Sequence, residues 1–138
     1  MTKYVNRFKK GFTLLELLVV ISIIGILLAI GTTAFTTAQK RGRDSKRRAD
    51  MKSMQSAFEQ YYAENNSYAS CDDMKSFLSG GSLPADPQTG ETYSDCSWTE
   101  ATDVYCACAD LEDATSGNSG DASCGFSGVG YICVANLQ

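Results

Sequence analysis

The sequence predicts an α+β protein: a long N-terminal α-helix, apolar in its first half, packed through its second half on a small antiparallel β-sheet head stapled by disulfides. Three observations predict it. Residues Phe12 to Ile30 are almost wholly apolar. Helical spacing of apolar residues then continues, without a proline, to about residue 64. Beyond Tyr68 the chain breaks into short segments divided by Gly, Ser and Asp, and all six cysteines lie there.

At 138 residues the chain has room for one domain and an anchor. Charge is distributed unevenly behind the net of −4. Residues 1–10 carry Lys3, Arg7, Lys9 and Lys10 and no acid. Residues 40–52 carry Lys40, Arg41, Arg43, Lys46, Arg47, Arg48 and Lys52 against Asp44 and Asp50. Residues 71–138 carry eleven acids against Lys75 alone. A basic stem therefore leads into an acidic head. The basic stretch invites a nucleic-acid reading, but the acidic head would repel phosphate. A solvated helix face, or pairing with acidic heads of neighbouring copies, accounts for it better.

Taken in order, the apolar run of about 19 residues gives a helix of roughly 28 Å, enough to cross a bilayer. Glu16 interrupts it. A carboxylate in hydrocarbon costs about 2.5 kcal/mol or more, so it calls for a partner; the competing reading keeps it hydrated near the interface. Gly25 and Gly31 loosen the helix locally. The amphipathic continuation presents Ala49, Met51, Met54, Phe58, Tyr61 and Tyr62 on one face, and Asn65-Asn66-Ser67 stops it. In the head, Asp72 to Leu78 reads as a short helix, and 91–98, 103–109 and 129–136 read as strands. Asp113 to Gly128 reads as an exposed loop tied down by Cys124.

Cys71, Cys96, Cys106, Cys108, Cys124 and Cys133 read as a disulfide framework in a small exported domain. Their pairing stays open. Zinc and free thiols compete, but the chain has no histidine and no C-x-x-C pair. Cys106 and Cys108 point to the same face of a strand. The loop also offers Asp110, Glu112, Asp113, Asn118 and Asp121 as hard oxygen ligands for calcium, although their spacing fits no EF-hand. No nucleophile with a base and no phosphate-binding glycine loop is present, so an enzyme is not expected.

The basic leader, Gly11 and the start Phe12-Thr13-Leu14-Leu15-Glu16 resemble the cleavage region of type IV prepilins and their pseudopilin relatives. The run Leu83-Pro84-Ala85-Asp86-Pro87, with Gly90 and Tyr93, is similar to the segment that opens the sheet in major pseudopilins of type II secretion. The resemblance implies the pilin fold, with 1–11 a cleaved leader, 12–35 a transmembrane and filament-core helix, 36–66 the amphipathic stem and 67–138 the head. It implies prepilin peptidase cleavage between Gly11 and Phe12, methylation of the Phe12 amine, and pairing of Glu16 with that amine on a neighbour. On composition alone, Lys9 and Lys10 would instead mark an uncleaved signal anchor. Where many family members have proline this chain has Thr33, so no proline kink is expected; the resemblance still allows the segment Gly25 to Gly31 to lose helix in a packed filament, as it does in some pilins. Similar pseudopilins hold calcium in a head loop, whereas the residues themselves demand no cofactor.

The implied partners are further copies in a helical filament, the peptidase, a membrane assembly platform and a cytoplasmic assembly ATPase. The implied locations are the cytoplasmic membrane, as a single-pass precursor with its head on the outer side, and then a cell-surface filament. A surface pilus is the preferred reading because six head cysteines suit an exposed fibre. A secretion pseudopilus and a single-pass membrane-anchored binding module are the alternatives.

Overall fold

A computed structural model describes residues 11–93, 95–100 and 103–137. Lys3, Arg7, Lys9 and Lys10 of the basic leader lie outside them. The chain divides into two compact units, Met1–Thr37 and Ala38–Gln138.

In the first unit α1 (Leu14–Asn65) begins. Its apolar side chains are bare: Leu14 is 89% exposed and Leu28 63%. The most apolar 18-residue window has a mean hydropathy of 2.8 and no buried share. The hydroxyls within and just beyond this run are satisfied by the helix itself. Ser22 donates to the Val19 carbonyl at 2.7 Å, and Thr33 to that of Ile30 at 3.1 Å. Such back-bonding lets a hydroxyl sit in an apolar medium without an orphan polar group. The helix runs unbroken through Gly25 and Gly31.

In the second unit the rest of α1 packs on a three-stranded antiparallel sheet of order β1-β2-β3, comprising β1 (Cys96–Thr99), β2 (Val104–Asp110) and β3 (Tyr131–Ala135). Met51, Met54, Ala57 and Phe58 from the helix meet Tyr105, Ala107 and Ala109 from β2. Phe58 stacks on Tyr105 with centroids 3.8 Å apart, and Tyr68 meets Tyr105 edge-on. The two alanines let the helix approach the sheet closely, while the aromatic stack supplies the apolar area. Asn66 ends the helix in the left-handed region at φ 56°, its N–H donating to the Tyr62 carbonyl at 2.7 Å.

Alternation along β2 turns Cys106 and Cys108 away from the helix. The 113–128 loop covers that face. Disulfides join Cys106 to Cys124 and Cys108 to Cys133, and a third joins Cys71 to Cys96. Asn118 finishes the layer: its amide donates to the Cys133 carbonyl and its Oδ1 accepts the Cys133 N–H, both at 2.8 Å. The side chain thereby occupies the outer edge of β3 like one residue of a further strand, which protects that edge.

The structure departs from expectation in three places. The 91–98 strand contracts to Cys96–Thr99, and Thr92 instead makes an isolated antiparallel bridge to Ala85 across the turn that Asp86 closes through the N–H groups of Gln88 and Thr89. The Asp72 to Leu78 helix is a single 3-10 turn, Met74–Phe77. Asp113 to Gly128 is, as expected, a largely exposed loop tied down by Cys124, and Asn118 also docks it on β3. Ala49 is exposed, and the buried helix face begins instead with Asp44, Arg47 and Asp50.

Candidate processing and assembly surface

The N-terminal candidates gather within one helical turn. Gly11 is exposed and Phe12 is 85% exposed, so the bond between them is open to a peptidase. Thr13 precedes the first helical residue. Its N–H and its hydroxyl both donate to Glu16 Oε2, at 2.9 and 2.8 Å, and its oxygen accepts the Glu16 N–H at 3.2 Å. This is a reciprocal capping box, which satisfies otherwise orphaned donors of the first turn. The Thr-x-x-Glu spacing announces it in the sequence, and Thr13 is the functional residue that reading for the carboxylate alone passes over. The helix start also favours a negative charge at this point. Glu16 therefore sits at the helix mouth beside Phe12, with Leu14, Leu15, Leu17 and Leu18 exposed around it.

The basic stretch divides in two. Part of it is bound inside the head. Arg47, only 4% exposed, donates to Asp86 at 2.6 Å and to Asp44 at 2.8 Å. Arg43 grips Glu112 through two nitrogens. Asp44 also accepts the N–H groups of Glu112 and Asp113, at 2.9 and 3.0 Å, so it caps the start of the loop as well as pairing. Lys46 pairs with Asp50, which accepts the Tyr93 hydroxyl at 3.0 Å. The Arg47 guanidinium beside Asp86 holds that carboxyl down at about 2, and Arg43 likewise lowers Glu112. Burial, reinforced by Asp50, pushes the Tyr93 phenol well above its usual range. Arg43 and Arg47 thus hold stem to head within one chain, while Lys46 pairs within the stem. Lys40, Arg41, Arg48 and Lys52 are the outward remainder.

The calcium candidates point into separate turns. Asp113 accepts from the N–H and hydroxyl of Thr115, and Asp121 from those of Ser123; each carboxyl is lowered by that turn. The oxygen of Asn118 is bound to β3. Glu112 belongs to Arg43, and Asp110 lines a groove on the other flank of the head. Among the described residues, the group close enough to share a metal is Cys106, Cys108 and Cys124, and their sulfurs are in disulfides.

The family described as "Prokaryotic N-terminal methylation motif" matches residues 6–32. The chain is 37% identical over 68 residues to the type IV major pilin protein PilA of Myxococcus xanthus, covering 47% of this chain and 31% of that one. It is 44% identical over 64 residues to the type IV wide pilus major component PilA4 of Thermus thermophilus, covering 46% and 49%. It is 30% identical over 81 residues to the type II secretion system core protein G of Pectobacterium carotovorum subsp. carotovorum, covering 58% and 52%. The match thus spans from about a third to about half of the length of these relatives. No solved structure matches.

Proposed function

We propose, on the premise that the chain belongs with the type IV pilins and type II secretion pseudopilins, as its methylation motif and relatives support, that it is the structural subunit of a type IV pilus-like filament. Prepilin peptidase removes residues 1–11, and the Phe12 amine is methylated. The trimmed subunit waits in the membrane with its head outside, and an assembly platform and ATPase lift it into the growing fibre.

The bare apolar helix carries this reading. An 18-residue window of hydropathy 2.8 with no buried share needs lipid before assembly and other copies of itself after it. Burial against neighbours supplies most of the assembly energy, at about 25 cal/mol per Å² of apolar area. Glu16 then has a partner that makes its place in the helix tolerable: the amine at Phe12 of a neighbouring copy. Two charges that are each costly in an apolar core become one ion pair, and the pair sets the axial register.

Mass spectrometry of the mature protein, with immunogold microscopy of intact cells using an antibody to the head, tests the reading. A mature chain starting at a modified Phe12 within a surface fibre is the expected result. A mature chain starting at Met1 would refute it. A second reading, a pseudopilus subunit of a type II secretion machine, is favoured by the Leu83-to-Tyr93 segment and by the similarity to core protein G. Under that reading the label stays beneath the outer surface, and deleting the gene blocks protein secretion.

A further inference from the structure

The charges left over once the head has satisfied itself fall on two different flanks. Asp44, Arg47 and Asp50 face the head and are buried. Arg41, Arg48 and Lys52 lie about 100–140° round the helix from Arg47, given 3.6 residues per turn. All three are exposed. Arg41 has no ion pair or hydrogen bond among the described residues, although Asp113 feels its charge at longer range. Arg48 and Lys52 hydrogen-bond to the neutral oxygens of Ser116 and Gln55, at 3.0 and 2.7 Å, and Asp113 feels the charge of Arg48 at longer range as well.

The flank on the Asp50–Tyr93 side carries a groove of about 270 Å³, lined by Asp86, Glu91, Asp95 and Asp110 among others. Its one cation, Arg47, is already held by Asp86. Glu91, Asp95 and Asp110 are exposed and enter no ion pair among the described residues. One molecule therefore presents an unpaired acidic groove and an unpaired basic flank that do not face each other. Such a pair of surfaces makes a heterologous contact, which repeats into an open helical array when its rotation does not close.

We propose that the acidic groove of one copy, through Glu91, Asp95 and Asp110, receives the basic flank of the next copy, led by Arg41 with Arg48 above it. The inference rests on the filament reading and names the head-level contact that would accompany the buried helix bundle.

Charge reversal in the full-length chain tests it, with filament yield read by shearing and sedimentation. Arg41→Glu alone, and Glu91→Lys with Asp95→Lys, are each expected to lower yield by about tenfold or more, since like charges then face each other. The three substitutions together should restore most of it. The reversed side chains are exposed and outside every ion pair among the described residues, so an unchanged melting temperature of the detergent-solubilised chain confirms that folding is intact. Normal yield from the single reversals, or a triple variant no better than its worse parent, overturns the contact while leaving the filament intact. So does loss of wild-type filaments in chelator that the acid reversals mimic without rescue, because the groove would then hold a divalent cation. A wild-type chain that never assembles overturns the filament reading, and this contact with it, before any variant is compared.

Discussion

Arg47 carries the most concentrated set of interactions in the head. Its guanidinium joins Asp44 on its own helix to Asp86 and Glu112 from two later segments, and is 4% exposed. Removing one partner of a buried ionic network leaves the others desolvated and unpaired, so Arg47→Ala is expected to cost about 3–5 kcal/mol. Denaturant unfolding of the full chain in detergent would measure it. The same network sets an acid limit. Asp86 titrates at about 2 in the folded head against an ordinary 3.8. A depressed folded value stabilises the fold at pH above the ordinary one, and that contribution is lost as pH falls from about 4 towards 2. The unfolding midpoint should therefore drop across this window, and Asp86→Asn should flatten part of the drop while lowering stability at neutral pH. An Asp86→Asn chain with the wild-type pH profile would show that the pair contributes little.

At the level of elements, the docked loop depends on one glycine. Gly117 has φ 116°, and a Cβ there would lie 2.2 Å from the Tyr131 carbonyl oxygen. Left-handed backbone alone costs an ordinary residue about 1–2 kcal/mol. With the clash added, Gly117→Ala should destabilise the head by at least about 2 kcal/mol and raise hydrogen exchange at the amides of Tyr131 and Cys133, which the loop otherwise holds. Unchanged exchange there would mean that the disulfides alone fix the layer. The limits of the sequence lie at the same place. The helix was legible because Met51, Met54 and Phe58 recur at its period, and β2 and β3 because apolar runs flank glycine-rich turns. Cys106 and Cys108 could be placed on one face by alternation. Their partners could not, because Cys133 arrives through the β2–β3 register and Cys124 through the fold-back of the loop. The role of Asn118 was hidden for the same reason: an asparagine in a polar loop looks solvated until a strand edge is placed beside it. The Thr13–Glu16 box is readable because it is local, a Thr-x-x-Glu spacing at the start of an apolar run. Apart from the local Arg47–Asp44 pair, the ion pairs of Arg43 and Arg47 join residues 39 to 69 positions apart, which no local pattern reports.

For the whole molecule, the two ends of the chain solve different problems. The head buries its own aromatic stack, satisfies its sheet edge at β3 and pairs three of its stem cations, whereas the first unit leaves an entire apolar helix uncovered and one carboxylate near its start. Whether Glu16 serves its own helix or a neighbour can be decided by one substitution. Glutamine keeps the capping geometry, since Thr-x-x-Gln forms the same box, but carries no charge. If the side chain only caps, Glu16→Gln should assemble like the wild type and Glu16→Ala should fray the first turn. If it answers the amine of another copy, both variants should insert in the membrane and be trimmed after Gly11, yet both should yield few filaments, with Gln no better than Ala by more than about twofold, because the neighbour's amine stays buried and unpaired in either case. Comparing membrane and sheared-filament fractions for the three chains gives the answer. A Gln variant that builds fibres at the wild-type level would reduce Glu16 to a helix cap.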